Sequence, residues 1–281
     1  MKVQLIRKPR RLAHEPTRLV FMRNHPNQLK FYALGLLLLS ALTACQVKPA
    51  PKFCSTHTEP FKYSVCSAAN TKKNPLQLEL IWRDPLSGEH FATFKKLSSA
   101  EQYQTRNIVF ALNAGMYAED YAPLALYVEN GKQLKSLNQK KGGGNFHLLP
   151  NGVYWIDPEG VSHVNQTSEF NKIQKNQPIE FATQSGPMLV INGNLHPMFD
   201  PESTSKKIRS GVGICSDKQV KFVISDVWVS FYEFAKLFKD ELGCDNALFL
   251  DGGTAPALMS SELRRSDIKQ LGPMIIATMS R

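Results

Sequence analysis

The sequence predicts an α+β fold, a single strand-rich domain on a mixed sheet core with few helices, and three observations predict it. Short runs of apolar or alternating residues recur from Leu76 onward, each closed by a Gly, Asn or Pro turn. Only one segment, Ser230 to Leu242, carries clear helical spacing. Once a leader is set aside, roughly 235 residues remain, enough for one sizeable core, and no repeat, long linker or low-complexity tract divides them.

The elements follow in order. LQLELIW at Leu76 to Trp82 alternates as a strand does, and Asp84-Pro85 and Ser87-Gly88 turn it toward Phe91 to Phe94 as a hairpin. NIVFAL at Asn107 to Leu112 is an apolar strand that runs into Asn113-Ala114-Gly115-Met116-Tyr117. Ala125 to Glu129 with Asn130-Gly131 is a strand and hairpin turn. After the loop KKGGGN, Asn145-Phe146 opens a further strand, and Pro150-Asn151-Gly152 turns into the strand Val153 to Ile156. Glu169 to Asn176 is a short helix or loop. Phe181 to Thr183 leads through Gln184-Ser185-Gly186-Pro187 to Met188 to Ile191, and Asn192-Gly193 turns the chain again. Ser203 to Lys207 delivers the strand Ile208 to Ile214, and Val220 to Ser225 is a strand ending at Asp226. The helix has Ser230 as N-cap, apolar residues at Phe231, Phe234, Ala235, Phe238 and Leu242, and Gly243 as its stop. It feeds the apolar run Ala247 to Leu250, which breaks off at Asp251-Gly252-Gly253-Thr254. A carboxylate is thereby carried to the end of a core strand, and the glycines leave the backbone free to turn with positive φ beside it.

The first 44 residues read as a lipoprotein signal peptide. Phe31 to Leu42 is apolar apart from Ser40, too short to span a bilayer and suited to a secretory h-region. Leu42-Thr43-Ala44-Cys45 resembles a bacterial lipobox, which makes Cys45 the lipidation site and a lipid anchor the contact with the membrane. Met22 gives a more compact start than Met1, and Gln46 rather than Asp after Cys45, by resemblance to enterobacterial lipoproteins, implies the periplasmic face of the outer membrane. Residues 45–74 form a lipidated tether and a disulfide-pinned segment, and residues 75–281 form the domain. The formal charge of +10 belongs largely to the leader: beyond Ala44 there are 26 Lys or Arg against 23 Asp or Glu. That balance, with no arginine-rich stripe, excludes nucleic acid as a partner. Export makes the remaining cysteines, Cys54, Cys66, Cys215 and Cys244, disulfide formers. Three pairings are open to four cysteines; Cys54 with Cys66 and Cys215 with Cys244 is the expected one. No CxxC occurs, His147, His163 and His196 are scattered, and neither a metal nor another cofactor is expected.

Four strand-end clusters now stand together: NAGMY at Asn113, QSGP at Gln184, RSGVG at Arg209 and LDGGT at Leu250. In this order and spacing they resemble the phosphodiester glycosidase family. GNFHLLPNGVYWI, ATQSGPMLVINGNLHP and the helix before NALFLDGG extend the likeness from about Asn107 to Ala277. The resemblance implies hydrolysis of a sugar 1-phosphodiester at the anomeric carbon, with the sugar released and the phosphate left on its carrier. Arg209 is the candidate for neutralising the phosphate. Asp251 is the candidate nucleophile or general base, and Asp226, preferred to Glu119, the second carboxylate. Asn113 and Gln184 are expected to hydrogen-bond sugar hydroxyls or phosphate oxygens. Gly115, Met116, Asn145 and Ser185 join them in binding substrate, and the amides of Gly252, Gly253 and Thr254 line the anionic side. Pro256 departs from the serines that often follow this motif in the family, which bears on the sugar accepted. The competing readings are a non-catalytic glycan-binding lipoprotein of the envelope, and a phosphodiesterase, which would need clustered metal ligands that the sequence does not offer.

Overall fold

The computed structural model describes residues 51–279; the signal peptide, Cys45 and the alternative start at Met22 lie outside the described residues. Strands β1 (Cys54–His57) and β2 (Tyr63–Ala69) form a hairpin. Strand β3 (Leu76–Ile81), helices α1 (Phe94–Ser99) and α2 (Glu101–Gln104), and β4 (Asn107–Asn113) follow. Next come β5 (Tyr127–Glu129), β6 (Lys132–Lys135), β7 (Gly152–Ile156), β8 (Ser162–Gln166), α3 (Thr167–Ile173), β9 (Phe181–Ser185), β10 (Met188–Ile191) and β11 (Asn194–Leu195). The chain closes with β12 (Arg209–Cys215), β13 (Gln219–Ser225), α4 (Phe231–Lys236), β14 (Cys244–Gly252), β15 (Leu258–Ser260), β16 (Arg265–Ser266) and β17 (Met274–Met279).

The expected strand-rich α+β core is present, but in place of a mixed sheet it consists of three sheets whose pairings are all antiparallel. The first has the order β1-β2-β13-β12-β14-β10-β11, the second β16-β15-β4-β17-β3, and the third β6-β5-β9-β7-β8. Strand β14 is buried on both faces, which is why it reads as an unbroken apolar run. Leu248 and Leu250 enter the main core, while Ala247 and Phe249 enter the cluster under α4, as the two-residue period of a strand requires.

Helix α4 starts at a full capping box between Ser230 and Glu233, widens into a π turn over Leu237–Glu241, and stops at Gly243 with φ +63°. Its rings explain two glycines of the RSGVG segment. A Cβ on Gly213 would lie 2.7 Å from the Phe238 ring, and one on Gly211 3.1 Å from it. The helix packs directly on bare backbone of β12.

Two expectations need correction. The hairpin of Leu76–Trp82 with Phe91–Phe94 shrinks to a single bridge between Arg83 and His90. Strand β3 pairs instead with β17, and Phe94 opens α1, capped by the Thr93 side chain, because Phe91, Phe94 and Leu97 bury against a separate cluster. Asn145-Phe146 opens a 3-10 turn, Asn145–His147, and not a strand. Gly144 at φ +79° and the nearby Pro150 leave too little chain for a ladder, and Phe146 alone drops into the interior.

Candidate active site

The three sheets meet at the C-terminal ends of β4, β9 and β14. Ser185 Oγ, on β9, donates to the Leu250 carbonyl of β14 at 2.6 Å. Asn113 Nδ2, at the end of β4, donates to Ser210 Oγ of β12 at 2.9 Å, and Ser210 Oγ donates to the Asp251 carbonyl at 3.2 Å. Asn113 Oδ1 also accepts from the Ala257 amide at 3.2 Å. One residue from each polar cluster thus joins a neighbouring sheet, and the junction fixes the loop that carries Asp251.

Register decides which way the two principal side chains point. Past a register shift that leaves Leu250 as an extra residue of β14, Ser210 pairs with Asp251 and Arg209 with Gly252, and paired residues of an antiparallel ladder share a face while successive residues of β12 alternate. Asp251 and Arg209 therefore leave opposite faces of the β12–β14 pair at the same end. The Asp251 carboxylate is half-buried, and among the described residues its Oδ1 accepts only the next amide, Gly252, at 2.7 Å. Burial raises its pKa from the ordinary carboxylate range to about 6, the Gly252 N–H offsetting part of the effect. Tyr117 is its aromatic neighbour: burial and then the Asp251 charge push the Tyr117 hydroxyl up to about 12. Tyr117 and Tyr121 lie with ring centroids 5.9 Å apart, and both hydroxyls donate to Gln270. Tyr117 was legible only as the last residue of NAGMY; nothing in the spacing tied it to Asp251.

Arg209 is 2% exposed. Its guanidinium lies 3.7 Å from the Phe231 ring centroid and 5.6 Å from that of Phe249. Nε donates to the Val229 carbonyl at 2.9 Å and Nη2 to the Ser205 carbonyl at 3.0 Å. Among the described residues no carboxylate forms an ion pair with it; burial lowers its pKa to about 10, and the charge of Glu233 offsets this only in part. It remains a cation at neutral pH.

The other expected residues divide clearly. Asp226 lies at the same end of the sheet but is held by Arg265 Nη1 at 2.6 Å and Ser64 Oγ at 2.8 Å. Its hydrogen-bonding capacity serves a structural tie. Gln184 is 1% exposed, and its amide is spent inside the fold: Oε1 accepts from the Asn138 amide at 2.8 Å, and Nε2 donates to the Asn138 carbonyl at 2.7 Å and Thr167 Oγ1 at 3.2 Å. It pins the loop before Asn145, which is itself exposed. Gly115 is required by close approach, since a Cβ there would meet Thr183 Oγ1 at 2.5 Å. Met116 packs against the apolar cluster that contains Phe249. The Gly252 amide goes to Asp251 and the Gly253 amide to the Ile208 carbonyl at 3.0 Å. The expected anion-binding run of amides is thus reduced to the exposed Thr254. Glu119 is exposed in the loop beyond Tyr117.

Both expected disulfides are present, Cys54–Cys66 within the first hairpin and Cys215–Cys244 between β12 and β14, far along the ladder from Asp251. Disulfides of this kind mark an extracytoplasmic chain. No helix among the described residues is long and apolar enough to cross a membrane. Cavities of about 550 and 410 Å³ open elsewhere, the latter beside Arg106 and Arg264, and neither is lined by Asp251. A groove of about 430 Å³ lined by Trp228 and α4 shares Val229 and Glu233 with the surroundings of Arg209.

Comparison with known proteins converges on one family. The phosphodiester glycosidase family model matches residues 106–273. The uncharacterized protein YigE of Escherichia coli (strain K12) is 37% identical over 176 residues, 63% of this chain and 67% of that one. The catalytic domain of zebrafish N-acetylglucosamine-1-phosphodiester alpha-N-acetylglucosaminidase, auto-inhibited by its pro-peptide, superposes with a TM-score of 0.56 at 13% identity, over 83% of this chain and 85% of that one. A hypothetical protein from Synechocystis superposes with a TM-score of 0.50 at 13% identity, over 80% and 61%. At such identities the superpositions speak for the fold alone. Because the family match covers more than half of the chain and encloses Asn113, Gln184, Arg209 and Asp251, this chain belongs to the phosphodiester glycosidase family.

Proposed function

We propose that the protein hydrolyses the glycosidic bond of a sugar 1-phosphodiester in the bacterial envelope, held to the membrane by a lipid on Cys45 and facing the periplasm from the outer membrane. The observation that carries this reading is Arg209, a buried cation that forms no ion pair among the described residues, at a strand end shared with a half-buried carboxylate. A buried, uncompensated charge is costly, and it is accounted for if the missing counter-ion is the substrate's phosphate. A phosphate monoester leaves readily once its charge is stabilised, so the reaction needs a positive potential more than a strong acid.

The sugar lies on the Asp251 side, against Tyr117, and the phosphate bends over the strand ends toward Arg209. With a pKa near 6, Asp251 is ionised above neutrality and available to take a proton from water or to attack the anomeric carbon directly. The carbon–oxygen bond to phosphate breaks, its electron pair stays with the phosphate, and water supplies the new hydroxyl of the sugar. Asp226 acts in this scheme through Arg265, by fixing the site rather than by proton transfer. The test is product analysis with the full chain, a panel of sugar 1-phosphodiesters and water enriched in heavy oxygen. Label in the sugar supports glycosidic cleavage; label in the phosphate replaces it with phosphodiester hydrolysis at phosphorus.

A second reading, a glycan-binding lipoprotein without catalysis, is favoured by the internal use of Asn113 and Gln184, which leaves two of the four motifs with structural tasks. Saturable ligand binding with no turnover across the panel would select it.

A further inference from the structure

The cavity of about 410 Å³ opens between α2, the start of β4 and the β15–β16 hairpin, and Asp251 does not line it. Its floor is apolar: Tyr103 belongs to the cluster that holds α1, and Ile108 and Met259 pack against that cluster. Every charged residue on the lining is an arginine, Arg106, Arg264 or Arg265. Arg106 is held by Glu79 and the Thr278 hydroxyl, and Arg265 by Asp226 and Asp267, none of which lines the cavity. Two guanidinium groups are thus fixed from outside. Arg264, exposed in the turn between β15 and β16, forms no ion pair among the described residues. Ser260 is 1% exposed, and its Oγ has no hydrogen-bond partner among the described residues. A buried hydroxyl left unpaired is costly, and this one belongs to a residue in the cavity wall.

The donors select the ligand. A guanidinium without a counter-charge beside a hydroxyl without an acceptor suits an oxyanion, and the planar fork of arginine matches phosphate oxygens two at a time. A cation would be repelled by three arginines, and a wholly apolar ligand would leave Ser260 unpaired. The apolar floor calls for carbon next to the anion.

The N-terminal tether supplies the source. The Phe53 and Cys54 amides donate to Glu262 Oε2 at 2.9 and 2.6 Å, in the same turn that carries Arg264. Cys45 lies eight residues before Phe53, a reach of at most about 28 Å for extended chain. Between them stand Lys48 and Lys52 and no acidic residue. A lipid on Cys45 keeps this edge of the domain within reach of the headgroups, where basic side chains meet anionic lipid.

We propose that this cavity binds the phosphate of an anionic lipid headgroup, with Arg264 gripping the phosphate oxygens, Ser260 donating to one of them, and the lipid's carbon skeleton lying on Tyr103, Ile108 and Met259. The lipid source rests on the anchor reading above; the oxyanion site does not, and neither depends on the hydrolase reading.

The test places the full chain on vesicles of phosphatidylcholine alone and of phosphatidylcholine mixed equally with phosphatidylglycerol, so that the anchor is common to both and only headgroup charge differs. The readouts are amide exchange over Leu258–Ser266 and the rate at which phenylglyoxal modifies Arg264, with the exposed Arg83 as reference. Modification of Arg264 is expected to be roughly tenfold slower on the anionic vesicles, with exchange slowed in the same turn. Arg264→Gln is expected to abolish the slowing of exchange, Ser260→Ala to reduce it, and Arg264→Lys to restore part of it. Equal rates on the two vesicles, or slowed exchange that survives Arg264→Gln, would overturn the lipid site. The same protection from inorganic phosphate added to phosphatidylcholine vesicles would overturn the lipid source and leave a free-phosphate site. Loss of the chain from phosphatidylcholine vesicles on washing would remove the anchor reading, and protection by phosphatidylglycerol would still decide the site.

Discussion

Arg209 and Arg265 stand at the same end of the seven-stranded sheet and have opposite surroundings. Arg265 grips Asp267 through Nε and Nη2 and Asp226 through Nη1. Burial would lower its pKa, but those hydrogen bonds outweigh it and the pKa rises. Arg209 is more deeply buried, bonds only to two carbonyls and lies against two phenylalanine rings, and its pKa falls. The pair shows two ways of burying an arginine: Arg265 has its counter-charges within the chain, whereas Arg209 forms no ion pair among the described residues and, in the proposed reaction, takes its counter-charge from the substrate.

The strongest way to break the comparison is to remove the charges of the proposed site. Asp251→Asn is expected to lower kcat/KM by about 10³-fold or more, with circular dichroism unchanged; activity retained to within tenfold would dismiss Asp251 from the chemistry. Arg209→Met is expected to cost about 10²–10³-fold in kcat/KM while leaving the melting temperature equal or higher, since an uncompensated buried cation is replaced by an apolar chain of similar shape. A fall in both would make Arg209 another Arg265.

Arg265→Met should show the reverse pattern. Losing a partly buried partner of Asp226 and Asp267 is expected to cost about 2 kcal/mol in urea unfolding, with activity reduced severalfold at most per folded molecule.

A pH titration sharpens the electrostatics on the other face. The Asp251 pKa is raised from 3.8 to about 6 in the folded state, so the folded chain holds its proton more tightly than the unfolded one. The associated stability is complete below about pH 4 and is lost as pH rises through about 6. Asp251→Asn is therefore expected to be more stable than wild type at pH 8 by about 1–2 kcal/mol, after discounting for its partial exposure, and equal to it below about pH 4. If the ionised carboxylate acts, kcat/KM of the wild type climbs with pH through the same region. The smallest effect is expected at the sheet junction: Ser210→Ala removes the bridge between Asn113 and the Asp251 carbonyl for about 1 kcal/mol, visible as a modest fall in thermal midpoint.

Much of the fold was legible because its signals are local. The apolar run before Asp251, the Asn130-Gly131 and Asn192-Gly193 turns, and the Ser230 cap with Gly243 as stop each rest on a few adjacent residues, and each is found in place. The hairpin expected after Leu76–Trp82 failed for the complementary reason. A strand's pattern states that it will pair but not with which partner, and β17, almost two hundred residues away, competes better than Phe91–Phe94.

The candidate site divides along the same line. The sequence alone determined that carboxylate, arginine and amides would be carried to strand ends, since an apolar run that stops at a polar, glycine-containing break can do little else. Tertiary structure alone decided what each polar group would meet there. Gln184 and Asn113 found partners within the chain, Asp226 found Arg265, and two glycine amides were taken by Asp251 and Ile208. Arg209 was left without an ion pair among the described residues, on the face opposite Asp251. The reason is physical: a side chain's type fixes how many hydrogen bonds and charges it must satisfy, but only the register of distant strands fixes which of those demands are met inside the protein and which remain for a ligand.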